Sequence, residues 1–245
     1  MRFLVLALAL MPASPALAVI GGTPLSSSDP VASQTVMISG GNGFCSGAVV
    51  GERLVLTAAH CVEGSPRLAV LVFGPNRQPI LNEITARAIH PAYRRADWQN
   101  RRTAVDLAVV RTAEPIGQGR RIAGLSAAPL PAAGATIRLV GYGPVAEGDG
   151  ASAGVLREVA LTVTGRPSSY QVRLTAPAGA RRGACTGDSG GPVFATEAGQ
   201  PVVAGIVSWS TGQGTARCGT LTGTVPVAPH RRWIEETIQG LGAQR

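Results

Sequence analysis

The chain has 245 residues, of which 45% are hydrophobic and 15% are charged, and it contains 32 Gly and 18 Pro. This length suits one large or two small compact domains, and the composition excludes a disordered or mainly helical chain. The formal net charge is +8, and every basic residue is Arg. Because the arginines occur as scattered pairs without interleaved aromatic residues, the charge predicts solubility and excludes a nucleic-acid partner.

Residues 1–18 are predicted to form a secretory signal peptide. Arg2 provides the positive start, Phe3 to Met11 form a short apolar run, and Ala16-Leu17-Ala18 forms a cleavage site. The apolar run is too short to span a bilayer, so no stable membrane insertion is expected after its removal. The Lys-free, Ala-, Arg- and Gly-rich composition suggests a bacterial source with a GC-rich genome. The predicted location is therefore secreted or periplasmic.

Behind the signal, short apolar runs alternate with turn residues. Such runs, rich in Val, Ile and Leu, predict the strands of a β-sandwich or barrel. The predicted strands are Thr35–Ile38, Leu54–Leu56, Leu68–Phe73, Leu107–Val110, Ile137–Val140 and Val202–Val207. Ala58 to Val62 is predicted to be a turn, Ala113 to Ala135 a linker between two halves, and Pro229 to Gly240 a helix.

The chain contains four cysteines, Cys45, Cys61, Cys185 and Cys218. Export to an oxidising compartment predicts two disulfides, although three connectivities are open. Local spacing favours Cys45 with Cys61 and Cys185 with Cys218. No Cys/His cluster has the spacing of a metal site, so neither a metal nor another cofactor is expected.

Ser189 lies in Gly187-Asp188-Ser189-Gly190-Gly191-Pro192. Glycines on both sides of a serine permit a sharp turn that presents the hydroxyl and lets a substrate approach the backbone. The N–H groups of Gly187 and Ser189 are candidates for an oxyanion hole. By itself, this sequence fits an ordinary glycine-rich turn equally well. A catalytic serine also needs a neutral base within hydrogen-bond reach.

His60 and Asp106 are candidate partners for that serine. His60 ends an apolar segment, Leu54 to Cys61, and stands beside a cysteine that a disulfide can immobilise. Asp106 lies inside the apolar segment Ala104 to Val110, where a carboxylate is costly unless it is paired or hydrogen-bonded. An imidazole N–H would satisfy it. The alternatives are a structural histidine and an aspartate at a solvent-facing strand edge.

The sequences around His60, Asp106 and Ser189 resemble those of the chymotrypsin/trypsin family of serine proteases, and so does the order of the three residues along the chain. The motifs are Thr-Ala-Ala-His-Cys, Asp-Leu-Ala-Val-Val and Gly-Asp-Ser-Gly-Gly-Pro. The resemblance covers residues 19–245. Further matching segments are Val19 to Gly22, Cys45 to Gly47, Gly141 to Gly143, Val207 to Trp209 and the region around Trp233.

The resemblance implies an all-β fold of two six-stranded antiparallel β-barrels with a C-terminal α-helix. The N-terminal barrel, residues 19–120, would carry His60 and Asp106, and the C-terminal part, residues 121–245, would carry Ser189 and the helix. It also implies the disulfide pairing favoured above. The implied activity is a serine endopeptidase acting on polypeptides through an acyl-enzyme intermediate, and a monomer is expected. Ser189 would be the nucleophile, His60 the general base and Asp106 its orienting group.

Activation in this family pairs a new N-terminal amine with the aspartate before the nucleophile. Here these groups would be Val19 and Asp188. Because Val19 directly follows Ala16-Leu17-Ala18, we expect signal peptidase itself to produce the mature N-terminus.

The resemblance also assigns a substrate pocket, lined by Gly183, Ala184, Ser208, Trp209, Ser210 and Gly223. Gly183 stands where relatives that cleave after basic residues carry an aspartate, so a non-basic P1 residue, apolar or small, is expected. Arg217 leaves an acidic P1 preference as the alternative. The arginines of the loop before Asp106 favour acidic substrate residues or simply form a solvated loop. They are Arg94, Arg95, Arg101 and Arg102.

Three other functional classes compete with the protease. A catalytically silent relative would act only by binding, and a basic surface-binding protein would explain none of the motifs. An α/β-hydrolase would use Ser189 with Glu197 and His230, but that fold needs alternating strands and substantial helices. The sequence favours the protease over all three.

Overall fold

The computed structural model describes residues 19–40, 43–73, 78–100, 104–117, 119–168, 171–177 and 180–243. The predicted signal peptide and two arginines of the cleft loop, Arg101 and Arg102, lie outside the described residues. The described part of the chain contains four α-helices. These are α1 Pro30–Ser33, α2 Ala59–Val62, α3 Arg95–Gln99 and α4 Arg231–Gly242.

The first half of the chain contains six barrel strands, β2 Thr35–Gly40, β3 Gly43–Gly51, β4 Leu54–Thr57, β5 Leu68–Phe73, β6 Pro79–Ile89 and β7 Ala108–Thr112. They form a closed antiparallel barrel in the order β2-β3-β4-β7-β6-β5. Closure follows because β2 pairs with both β3 and β5. Alternate residues of β5, such as Val70, are buried in the barrel, as the period-2 geometry of a strand requires.

The second half repeats this architecture. Its six barrel strands are β9 Thr136–Gly141, β10 Arg157–Ser168, β11 Gln171–Thr175, β12 Pro192–Glu197, β13 Gln200–Thr211 and β14 Leu221–Pro226. The barrel closes because β9 pairs with both β10 and β12. Two short strands flank it: β1 Thr23–Pro24 pairs with β10, and β8 Gly124–Leu125 pairs in parallel with β13. The predicted all-β fold of two six-stranded barrels is confirmed.

The two barrels and the C-terminal helix share one apolar cluster. It includes Leu107 of the first barrel segment, Phe194 and Ile206 of the second barrel, and Ile234 of α4. A shared core fixes the two barrels relative to each other, and with them the cleft between them. The predicted C-terminal helix is confirmed, but α4 begins at Arg231 because Ala228–His230 forms a 3₁₀ turn.

The predicted linker connects β7 to β9 and is bonded to both barrels. The N–H of Ala123 donates to Val49 O of the first barrel, and the N–H of Ser126 donates to Val203 O of the second. The boundary between two domains at residue 120 stays a prediction. Within the described residues, no helix has both the length and the apolar character to cross a membrane.

Candidate active site

His60 projects from α2, the single helical turn that follows β4. The disulfide from Cys61 to Cys45 ties this turn to β3. The imidazole Nδ1 lies 2.7 Å from Asp106 Oδ2, and the backbone N–H of His60 donates to Asp106 Oδ1 at 2.9 Å. Because a carboxylate accepts hydrogen bonds, this contact places the hydrogen of the neutral ring on Nδ1. Nε2 is then the nitrogen with a free electron pair.

Asp106 is fully buried and lies two residues before β7 begins. Besides the two contacts with His60, its Oδ2 accepts a hydrogen bond from the Ser208 hydroxyl at 2.7 Å. These three donors offset the cost of burying a carboxylate. Ser208 belongs to β13, so Asp106, which lies in the first half of the chain, is held partly by the second barrel. The structure therefore brings together His60, Asp106 and Ser208.

Ser189 lies in a tight turn of the second barrel that packs against the first. Its carbonyl oxygen accepts the N–H of Ser46 at 2.8 Å. Gly190 has a φ of +77°, and a Cβ there would approach Thr57 Oγ1 to 2.1 Å. Thr57 ends the strand that leads into α2. Glycine is thus required where the serine turn meets the histidine turn.

The backbone of this turn leaves two N–H groups without an acceptor among the described residues. The N–H groups of Asp188, Gly190 and Gly191 donate to the carbonyls of Cys185, Val207 and Asp188. Among the described residues, those of Gly187 and Ser189 have no acceptor. Gly187 adopts a φ of +96°, and a Cβ there would collide with the Phe44 ring at 2.2 Å. Both N–H groups are therefore open to an acceptor supplied from outside the turn.

His60 and Ser189 lie on the walls of one cleft of about 560 Å³. Its lining residues are Phe44, Cys45, His60, Trp98, Gln99, Cys185, Thr186, Gly187, Ser189, Ser208, Trp209, Ser210 and Arg217. In the part of the chain that the structure describes, no hydrogen bond joins the Ser189 hydroxyl to the imidazole, whose Nε2 lies 3.7 Å from Cys61 Sγ. Catalytic hydrogen bonds are often long without substrate and shorten in the complex.

The predicted pocket residues separate into two groups. Ser208, Trp209 and Ser210 line the cleft, whereas Gly183 and Ala184 lie behind its surface. Gly223, also assigned to the pocket, pairs with Trp209, and a Cβ there would lie 2.1 Å from the indole ring; its place in the pocket lining stays a prediction. A β-bulge between Val207 and Trp209 shifts the strand register at this point.

Thr222, which the sequence did not single out, stands opposite the cleft residue Ser210. Its side chain is fully buried, and its Oγ1 accepts the N–H of Ala184 at 3.0 Å. A Cβ on Gly183 would lie 3.1 Å from the same oxygen. Thr222 therefore fills the space between Ser210 and the Gly183–Ala184 segment. From the sequence, its neighbour Gly223 was assigned to the pocket and Thr222 was not considered.

Arg217 lies at the rim of the cleft. Its side chain is 90% exposed, and its Nε lies 4.0 Å from Glu147 Oε1. Its backbone N–H donates to Glu147 Oε2 at 2.7 Å. Arg94, on the loop before Asp106, bonds to the carbonyls of Pro91 and Tyr93. Arg95 contacts Glu63 at 3.5 Å. Each of these guanidinium groups thus already contacts an acceptor within the protein.

Asp188 occupies a closed pocket beneath the serine turn. Its fully buried carboxylate accepts the N–H of Gly143 at 2.8 Å and that of Cys185 at 2.9 Å. Burial raises the pKa of this carboxyl to about 7, against the lowering effect of the two donors. A Cβ on Gly141 or Gly143 would lie within 2.4 Å of its oxygens. The motif Gly141-Tyr142-Gly143 is therefore part of this pocket.

Val19 and Ile20 lie against the segment that leads to Asp188. Val19 is fully buried, and Ile20 forms a β-bridge with Gly183, whose N–H donates to Ile20 O at 3.0 Å. Val19 has a φ of +46°, a strained conformation for a β-branched residue. The second disulfide, Cys185 to Cys218, holds the same segment to the strand connection before β14.

One cluster of potential metal ligands occurs among the described residues, formed by Cys45, His60 and Cys61. Because Cys45 and Cys61 are joined by a disulfide, neither sulfur is available as a thiolate ligand. The cluster therefore does not have the donors of a metal site.

The α/β-hydrolase alternative conflicts with this structure. That fold needs a mainly parallel sheet with helices on both faces, whereas the strands here form two antiparallel barrels. Glu197 Oε1 accepts the hydroxyl of Ser126, and His230 packs edge-to-face on His90. Neither residue lines the cleft with Ser189.

Comparison with known proteins agrees with this geometry. The family model described as Trypsin matches residues 20–234. The chain belongs to the trypsin family. This membership confirms the predicted resemblance, and the chain is a serine endopeptidase, a hydrolase acting on polypeptides.

Three relatives illustrate the similarity. A venom plasminogen activator of the snake Gloydius brevicauda is 29% identical over 85% of this chain and 83% of the relative. A trypsin of Sarcophaga bullata is 29% identical over 81% and 80%. Human serine protease 56 is 29% identical over 81% of this chain and 35% of its own length. These relatives are eukaryotic, and they give no support to the bacterial source suggested by the composition.

Proposed function

We propose that Ser189, His60 and Asp106 are the catalytic triad of this endopeptidase, with the N–H groups of Gly187 and Ser189 as its oxyanion hole. The observation that carries the proposal is the pair of contacts from His60 to the buried Asp106 carboxylate, on the wall of the cleft that contains Ser189. The Nδ1 contact turns the basic nitrogen of the ring away from Asp106. The free N–H groups stand on the Ser189 side of the same cleft.

The reaction follows from these positions. Ser189 Oγ attacks the carbonyl carbon of the scissile bond, its proton passes to His60 Nε2, and the resulting oxyanion binds the N–H groups of Gly187 and Ser189. The C–N bond then breaks, and Nε2 returns the proton to the leaving amine. Water attacks the acyl-enzyme, gives a proton to Nε2, and releases the carboxylic acid as Ser189 regains its proton. Asp106 stays ionised and stabilises the imidazolium.

A fluorophosphonate probe tests this assignment. We expect one probe molecule per chain, attached to Ser189 and located by mass spectrometry of the digested protein, and none on Ser189→Ala. Such a probe phosphonylates serine only where a base and an oxyanion hole activate it. An unlabelled protein with intact fold would instead identify a catalytically silent relative that acts by binding.

The pocket favours a small, uncharged P1 side chain. Thr222 fills the space behind Ser210, and no acidic side chain lines the cleft among the described residues. The acidic P1 alternative depends on Arg217, but its exposed guanidinium stands beside Glu147 at the rim. Acidic residues elsewhere in the substrate, attracted by the arginines before Asp106, stay a prediction.

Replacing Thr222 is expected to change the P1 preference. Thr222→Gly should raise kcat/KM for Leu or Phe at P1 relative to Ala by about 10- to 200-fold, the range known for added methylenes in apolar pockets. Thr222→Ser, which keeps the acceptor for the N–H of Ala184, should give an intermediate change. Profiling with peptide libraries measures both variants. An unaltered profile in Thr222→Gly would place the pocket floor elsewhere.

The mature protein is proposed to begin at Val19, which then offers its ammonium group to Asp188. The buried position of Val19 and its pairing neighbour Ile20 support this, since both already lie beside the Asp188 segment. Release from Ala18 would also relieve the positive φ of Val19. We also propose that the polypeptide is exported and acts as a monomer, with one barrel in residues 19–120 and the other in residues 121–245. It needs no cofactor.

A further inference from the structure

Trp98 contacts two members of the active site but was not singled out by any sequence motif. It lies on α3, in the loop between β6 and Asp106. Its indole stacks on the imidazole of His60, with ring centroids 4.3 Å apart and an angle of 14° between the planes. Its Nε1–H donates to the carbonyl oxygen of Ser208 at 3.2 Å.

These contacts complete a closed ring of four residues. The Ser208 carbonyl accepts from Trp98, the Ser208 hydroxyl donates to Asp106, Asp106 accepts from His60 Nδ1, and His60 stacks on Trp98. Each member therefore contacts two others. The ring joins the first barrel to β13 of the second.

We propose that Trp98 is a positioning residue for His60, an inference that rests on the proposed triad. The bond from Nδ1 to Asp106 fixes one atom of the imidazole and leaves the ring able to turn about that bond. Such a turn moves Nε2 away from Ser189. The indole lies nearly parallel to the ring and opposes this motion. It also stabilises the imidazolium that forms during the reaction, through the attraction of a cation to an aromatic face.

The surroundings of Trp98 favour this role over a purely structural one. Helix α3 has only five residues, and none of them is buried. Trp98 is itself only partly covered: it packs against the edge of the first barrel's apolar cluster and lines the cleft. Removing its side chain takes away this edge contact but no fully buried residue, so the variant is expected to fold.

A small ester distinguishes positioning from substrate contact. With p-nitrophenyl acetate, which reaches little beyond Ser189, Trp98→Ala should lower kcat about 5- to 30-fold with KM nearly unchanged. Peptide substrates should show a kcat loss of the same size. Trp98→Phe keeps an aromatic face and should recover most of the loss. Asp97→Asn, on the same helix, is the matched control and should behave as the wild type.

Proton NMR gives an independent reading of the His60 ring. In the wild type, the carbon-bound protons of His60 should be shifted upfield by the indole, and the Nδ1 proton should exchange slowly with water. Trp98→Ala should remove the upfield shift and accelerate the exchange. Trp98→Phe should keep part of both.

The outcomes distinguish the positioning role of Trp98 from the proposed catalytic triad on which it rests. Normal fluorophosphonate labelling together with ester turnover within twofold of wild type in Trp98→Ala would overturn the positioning role alone, and a raised KM for peptides would then make Trp98 a wall of the substrate cleft. Absence of labelling in the wild type would overturn the triad and this inference with it.

Discussion

Asp106→Asn is expected to lower kcat by about 10⁴-fold while KM for a peptide substrate changes little. The cause is the tautomer of His60 and not a loss of structure. An asparagine has nearly the same shape as aspartate, but one of its two terminal atoms is an NH₂ group that only donates. The three donors around Asp106 decide where that group can lie.

The NH₂ group cannot replace Oδ1, because the fixed backbone N–H of His60 donates to that atom at 2.9 Å. It therefore replaces Oδ2, where the Ser208 hydroxyl can rotate and accept a hydrogen bond. His60 Nδ1 must then also accept, which moves the ring hydrogen to Nε2. An imidazole in this state cannot take the proton of Ser189.

Stopped-flow measurement of acylation by an ester substrate checks this expectation. Ser208→Ala is the informative companion, since it removes one donor from Oδ2 but leaves the tautomer unchanged. Its kcat should fall by roughly 10-fold, the cost of one hydrogen bond to a charged group. If Asp106→Asn kept activity within tenfold of wild type, the proposed role of Asp106 would be wrong.

The sequence predicted some strands better than others, for a physical reason. Leu68–Phe73 is a continuous apolar run, and β5 has the same bounds. The long strand β10, Arg157–Ser168, was not predicted, because polar residues alternate with its buried ones where one face meets solvent. Short apolar runs thus marked strands whose outward-facing residues are also apolar, and strands with polar outward-facing residues were left unrecognised.

Some residues of the candidate site could likewise be predicted from the sequence and others could not. Local motifs identified His60, Asp106 and Ser189 because each carries its own signature of glycines, apolar neighbours or a cysteine. Which residue faces Ser210 depends on strand register, and the bulge between Val207 and Trp209 was not visible in the sequence, so the sequence singled out Gly223 and did not single out Thr222. Trp98 belongs to no motif, and only the folded loop brings it to the imidazole.

The form of the chain that begins at Val19 is expected to be about 100-fold more active than one with a single Gly placed before Val19, the loss typical of a disturbed oxyanion hole. The extra residue moves the ammonium group away from Asp188 and leaves a peptide N–H in its place. The carboxyl then has only the charge of Arg157 to favour its ionised form, and burial raises its pKa to about 7. Hydrogen bonds from Gly143 and Cys185 remain, but together with the charge of Arg157 they do not offset the burial.

The same pKa predicts opposite pH dependences for the two forms. In the extended form, the folded carboxyl holds its proton more tightly than the unfolded one, whose pKa is 3.8. Stability is therefore greatest below pH 4 and falls by about 4 kcal/mol as the pH rises to 7, because the folded state binds more protons over this interval. In the form that begins at Val19, the ammonium group favours the carboxylate and removes this fall. Its stability should instead decline as the amine loses its proton, above about pH 8.

Urea unfolding of both forms between pH 4 and 9 tests the difference, with Ser189→Ala in each to prevent self-digestion. Val19→Ile at the N-terminus is the matched control, because it keeps the ammonium group and an apolar side chain, and its curve should follow that of the Val19 form. Parallel curves for the extended and Val19 forms, together with equal activities, would show that Asp188 has no partner at the N-terminus. A fall confined to the extended form identifies the buried carboxyl as the group that makes activation depend on a free Val19 amine.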